Sequence, residues 1–182
     1  MDVKVMHKHP DRELCMQYLK EYNTPAHVIG HCRAVADTAC KIARELNKHG
    51  YDLDLDLIMA AGLTHDIARV EDEHWNRGAE FMAERGWLQE AEIIRVHMFY
   101  SPFSDLEDLN ETDMICLADR TVLEDTYVGL DERMEYVIKK ATKAGRVNAR
   151  EIINAKKEVT RQTIIGIENI IGITFDQLMK GE

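Results

Sequence analysis

The stretch TPAHVIGHCRAVADTACKIARELNKHG, residues 24–50, decides the fold class. Asn23 and Thr24 offer a cap, and Pro25 a proline in the first turn, which is how helices commonly begin. Val28, Cys32, Val35, Ala39, Ile42 and Leu46 then recur at steps of four and three, one apolar face of a long helix. Lys48-His49-Gly50 ends it with a basic turn and a glycine. Further helical signals run through Leu55 to Leu63, about His74 to Glu84, Gln89 to His97 and Glu111 to Glu124. Two more follow near Asp131 to Lys143 and Asn148 to Asn169, and a short one around Thr174 to Met179. No alternating run with a hairpin turn precedes the Ile-rich stretch Thr163 to Thr174, which Glu168 and Asn169 interrupt at helical spacing. With few prolines, short connections and no internal repeat, the expectation is all-α: a single compact helical bundle over residues 1–182.

The 182 residues are enough to bury a core, and 33 acidic against 23 basic side chains give a net charge of −10. That excess disfavours duplex nucleic acid and anionic membrane, since no basic stripe appears. A phosphate-bearing substrate would need a local positive centre. Cys15, Cys32, Cys40 and Cys116 form no Cys-x-x-Cys, and all but Cys15 sit at apolar helix positions, as small buried hydrophobes in a reducing cytosol would. Met1 to Asp11 lacks an apolar signal region, and no apolar run approaches the roughly 18 residues of a membrane span. A cytoplasmic location is expected. His7, His9 and His49 are expected to be solvated.

Chemistry concentrates in Leu63-Thr-His65-Asp66-Ile-Ala-Arg69, which follows the apolar run Leu57 to Leu63. An imidazole and a carboxylate ending a buried helix need partners, and a metal ion would supply one. His31 lies on the edge of the first helix's apolar face; a core histidine bonded to backbone is the alternative. His27, one turn earlier, falls in the frayed first turn, which favours His31. Asp119 is a carboxylate in an apolar turn, so it is paired with an arginine or bound to metal. His31, His65, Asp66 and Asp119 come from three helices, and such nitrogen and oxygen donors suit a divalent transition metal. His74 and His97 add two imidazoles, and a second metal bridged through Asp66 would account for both.

This His, His-Asp, Asp pattern on a helical core resembles the HD-domain phosphohydrolase superfamily. The matching motifs are His31 in His-Cys-Arg-Ala-Val-Ala, His65-Asp66 in Leu-Thr-His-Asp-Ile-Ala-Arg, and Asp119 in Ile-Cys-Leu-Ala-Asp-Arg. They span about residues 24–125, with the helices of about 131–180 packed on that core. The resemblance implies that His31, His65, Asp66 and Asp119 bind a divalent metal. His74 and His97, with His74 opening His-Trp-Asn-Arg-Gly-Ala, fit the members that hold a second. The Gly-Tyr-Pro motif of the cyclic dinucleotide phosphodiesterases is absent. Many relatives read His-Asp-Ile-Gly-Lys where this chain has Ala68 and Arg69, and arginine offers a planar fork suited to phosphate.

The activity expected from this resemblance is hydrolysis of a phosphate ester or anhydride of a nucleotide or related small molecule. Metal-bound hydroxide would attack, with one or two ions of iron, manganese, zinc, nickel or cobalt. Asp66 would bridge the ions, and Arg69 would clamp the phosphate with Arg77 and Arg120 behind it. For Arg69 the alternative is an ion pair with Glu71-Asp72-Glu73. Tyr100, in Phe-Tyr-Ser-Pro-Phe after His97, is placed to stack on a nucleobase; core packing or a homo-oligomer contact is the alternative. Two further readings are a mononuclear nucleotidase of the same superfamily, in which His74 and His97 are structural, and a non-catalytic interaction module that keeps the fold.

Overall fold

A computed structural model describes residues 8–181. Its order is α1 (Arg12–Glu21), α2 (Ala26–Lys48), α3 (Leu55–Thr64), α4 (His74–Ala83), α5 (Leu88–Val96), α6 (Glu111–Asp119), β1 (Val122–Leu123), β2 (Thr126–Tyr127), α7 (Leu130–Lys143), α8 (Ala149–Ile171) and α9 (Phe175–Lys180). The all-α expectation holds, with β1 and β2 pairing as one two-residue antiparallel hairpin. None of these helices is long and apolar enough to cross a membrane.

Helix α2 is the axis of the bundle. Val28, Cys32, Val35, Ala39, Ile42 and Leu46, the face read from the periodicity, are all buried. They pack on α3 and α6, and α8 and α9 close over the same core through Ile167, Ile171 and Phe175. Burying these side chains contributes on the order of 1.5–3 kcal/mol each before entropy is counted. At the α2–α3 crossing the backbones almost touch: a Cβ on Gly62 would lie 2.8 Å from Ala36 Cα. Only glycine permits that approach, and it sets His65 beside His31.

Local signals explain where the helices begin. Asp11 accepts from the Leu14 amide to start α1, and Asp54 accepts from the Asp56 and Leu57 amides to start α3. Asn110 and Asp113 form a reciprocal capping box for α6, as do Thr174 and Gln177 for α9. Gly172, at φ +76°, ends α8 in the left-handed conformation.

Four details differ from the sequence reading. Helix α1 was not expected; its Cys15 and Leu19, one turn apart, are both fully buried. Helix α6 stops at Asp119 rather than Glu124, because the chain turns into the hairpin. Helix α8 runs two residues past Asn169. His9 is buried rather than solvated, with Nδ1 2.7 Å from Glu90 and Nε2 3.2 Å from Asp54. His49 is exposed at its helix end, and His7 lies outside the described residues. The four cysteines are free and buried, Cys15 among them.

Candidate metal centre

Helices α2, α3, α4, α5 and α6 bring polar groups to a common point, two of them from the end of α3. His31 projects from α2, His65 caps the C-terminus of α3, and Asp66 follows it. His74 opens α4, His97 caps α5, and Asp119 ends α6. Helix ends suit this task, because the chain can present a side chain there without breaking the hydrogen-bonded ladder.

Asp66 is the hub. Its Oδ2 lies 3.7 Å from His65 Nε2 and 4.0 Å from His31 Nε2. Its Oδ1 lies 3.2 Å from His74 Nε2 and 3.5 Å from His97 Nε2. His31 Nε2 also stands 3.1 Å from Asp119 Oδ1. Each oxygen of one carboxylate therefore faces its own pair of imidazoles.

Backbone contacts aim those imidazoles. Nδ1–H of His65 donates to the Gly62 carbonyl at 2.8 Å, that of His97 to Ile94 at 2.6 Å, and that of His31 to Glu124 at 3.0 Å. Each leaves Nε2 turned inward, the arrangement seen where imidazole binds metal. The His31 contact depends on the hairpin, whose Glu124 holds a left-handed φ of +52°.

Two buried atoms have no hydrogen-bond partner among the described residues: His65 Nε2 and Asp66 Oδ1. Such orphans cost on the order of 1–3 kcal/mol each, which a ligand would recover. Two triads bring their donor atoms within 4.8 Å of one another: His31, His65 and Asp119, and His65, Asp66 and His97. The donor set is nitrogen and oxygen, and it fits a divalent transition metal. His74 belongs to neither triad, and its Nε2 accepts from Arg69 Nη1 at 3.1 Å.

Charge in the cluster follows from burial and contact. Burial would raise the Asp66 carboxyl, but the facing imidazoles and Arg69 outweigh it and hold it well below the usual carboxylate range. The same competition, won by His31 and Arg133, holds Asp119 low. Burial pushes His65 down to about 4, so it is a neutral donor. For His31 and His97 burial is outweighed by Asp119 and Asp66, and both imidazoles are raised. Protons on these two imidazoles compete with a metal for the same nitrogens. Metal uptake is therefore expected to weaken as pH falls toward and below neutrality, with proton release on binding. Calorimetric titration in two buffers of different ionisation enthalpy measures that release; none at pH 6.5 would contradict it.

The phosphate-binding expectations divide. Arg69 is half-exposed, with Nε 3.6 Å from Asp66 Oδ2, so it serves the cluster and not the acidic run 71–73. Arg77 is a correction: exposed on α4, it lies 3.9 Å from Glu71 and bonds to no cluster residue among those described. Arg120 is another. It is buried, donates to Thr160 Oγ1 at 3.0 Å and to the Tyr100 carbonyl, and stacks 4.7 Å over Phe103. Its partner helix α8 is 40 residues on, which local sequence does not show. Tyr100 is a third correction. Its hydroxyl donates to buried Asp113 at 2.9 Å and its ring meets Phe103 edge-on, so it packs the loop. The exposed aromatic there is Phe99, edge-on to Trp75, which meets His74 in turn.

Two cations escaped the sequence reading. Arg133 of α7 donates through Nε to the Asp119 carbonyl at 3.1 Å and places Nη2 3.5 Å from Asp119 Oδ1. Lys156 of α8 donates to the Met98 carbonyl at 3.0 Å. Both sit among the many cations of helices that carry no motif.

The chain is 36% identical over 70 residues to an uncharacterized protein of Methanocaldococcus jannaschii, covering 37% of this chain and 41% of that one. It is 30% identical over 80 residues to a tRNA (cytidine(56)-2'-O)-methyltransferase of Thermoplasma volcanium, covering 42% and 22%. The chain thus spans less than half the length of either relative. No solved structure matches it. The HD domain family model matches residues 28–123, more than half of the chain and the whole span from His31 to Asp119. By that match and its helical bundle the chain belongs to the HD domain family, the superfamily of metal-dependent phosphohydrolases.

Proposed function

We propose that the protein is a phosphohydrolase that cleaves a phosphate ester or anhydride of a nucleotide or related small molecule with two divalent metal ions. The supporting observation is Asp66, whose two oxygens face different imidazole pairs. His31, His65 and Asp119 would hold one ion, His74 and His97 the other, and Asp66 would link them. When bound, such ions polarise a phosphoryl oxygen and acidify water.

The rest falls to the chain's own side chains. The Nδ1–H contacts fix the imidazoles before substrate arrives, so little reorganisation is needed. Arg69, half-exposed beside Asp66, turns a guanidinium fork toward an incoming phosphoryl group and offsets its charge. To do so it releases His74, on which it now rests. Arg133 pins Asp119 by carbonyl and carboxylate. In a chain of net charge −10, these arginines are the local positive centre that a phosphate requires.

The Arg69–His74 contact favours a second reading, a mononuclear enzyme in which His74 is structural. Phosphate release by anaerobically purified protein loaded with iron, manganese, zinc, nickel or cobalt tests the proposal. Nucleotide mono-, di- and polyphosphates form the panel. Turnover with at least one metal and one substrate is expected; silence across the panel would leave the non-catalytic module as the better account.

A further inference from the structure

Several of the cations on α7 and α8 meet carboxylates. Arg150 pairs with Glu135, while Lys157 and Arg161 share Asp131. Lys156 does not. Among the described residues no carboxylate lies within ion-pair distance of it, although it is half-buried. One turn further along α8, Thr160 receives Arg120, a second buried cation. Burial and Arg120 together lower the Lys156 ammonium. An anion would further stabilise an ammonium in this setting.

Its hydrogen bond holds it against the segment that follows His97. Lys156 Nζ donates to the Met98 carbonyl at 3.0 Å, and Arg69 Nη1 lies 3.9 Å from the Met98 sulfur. Two cations thus touch opposite ends of one residue. The residue before it is His97, 3.5 Å from Asp66 Oδ1. Lys156 also lies beyond residues 28–123, so this feature comes from the C-terminal helices and not from the family match.

We propose that Lys156 binds a second anionic group of the substrate, so that the substrate is a condensed phosphate with at least two phosphoryl groups. The reacting group would sit at Asp66 beside Arg69, and the next would lie across Met98 at Lys156. This rests on the phosphohydrolase reading for the reacting group, while the anion site itself does not.

Two hydrolysis-resistant probes separate the claims: methylenediphosphonate and methylphosphonate, titrated calorimetrically into metal-loaded protein. The intact protein is expected to prefer the diphosphonate. Lys156→Met should reduce that preference about tenfold or more, the value of one charge-assisted contact. Lys156→Arg should restore most of it, with metal content and unfolding midpoint unchanged in both variants. Equal affinity of the intact protein for the two probes would overturn the proposal, as would an undiminished preference in Lys156→Met. A diphosphonate preference without hydrolysis of any nucleotide would instead sink the catalytic reading and leave the anion site standing.

Discussion

Replacing Asp66 with alanine is expected to lower phosphate release by about 10³-fold or more. Metal catalysis supplies several kcal/mol of transition-state stabilisation, and each 1.36 kcal/mol is tenfold in rate. Among the described residues, Asp66 is the only group whose atoms face all four imidazoles, at 3.2 to 4.0 Å. Its loss removes a donor from both halves of the cluster. It also leaves Arg69 and the raised His97 without their carboxylate. Asp66→Asn keeps the shape and one carbonyl oxygen, so it separates charge from packing. Both variants should remain helical by circular dichroism while metal content drops. Activity within tenfold of the unaltered protein in either one would remove Asp66 from the centre of the account.

The largest expected effect on stability arises at Gly62, outside the ligand set. Helix propensity alone predicts that Gly62→Ala stabilises α3 by about 1 kcal/mol. Packing predicts the opposite, because the new Cβ would stand 2.8 Å from Ala36 Cα and 3.0 Å from its Cβ. Backbone atoms cannot swing aside as a side-chain end can. Overpacking of this kind costs about 1–3 kcal/mol, and forced separation of two core helices lies toward the upper end. The collision therefore wins, with a net loss of about 1–2 kcal/mol. For a chain of this length the unfolding midpoint falls by about 2–8 °C. Gly62→Val, with two further methyl groups, should fall further. Because α3 carries His65, pushing it from α2 also widens the gap to His31, and metal affinity should decline. A Gly62→Ala midpoint at or above the parent's would show that the α2–α3 approach is not a tight constraint.

Much of this centre was legible because it depends on local spacing. The α2 face follows from a 3.6-residue period, and His31 lies at its edge. His65 and Asp66 end an apolar run, and Asp119 interrupts one. What was not legible depends on distant partners. His9 reads as a solvated histidine until Glu90, 81 positions away, buries it. Arg120 follows Asp119 and reads as a phosphate clamp, yet Thr160 on α8 captures it. The hairpin Val122–Tyr127 is too short for any alternation to register, although its Glu124 carbonyl orients His31. Arg133 and Lys156 carry no motif, and only the packing of α7 and α8 brings them to Asp119 and Met98. Helix α1 was legible in principle: Asp11 is a capping residue, and Cys15 and Leu19 stand one turn apart.

If Asp66 joins two metal positions, metal counting will reveal both. Protein reconstituted without oxygen, freed of loose metal by gel filtration and analysed by mass spectrometry should hold two divalent ions per chain. Asp66→Ala treated alike should hold fewer. Two ions per chain in both proteins would contradict the bridge, and none in the unaltered protein would contradict the metal centre itself.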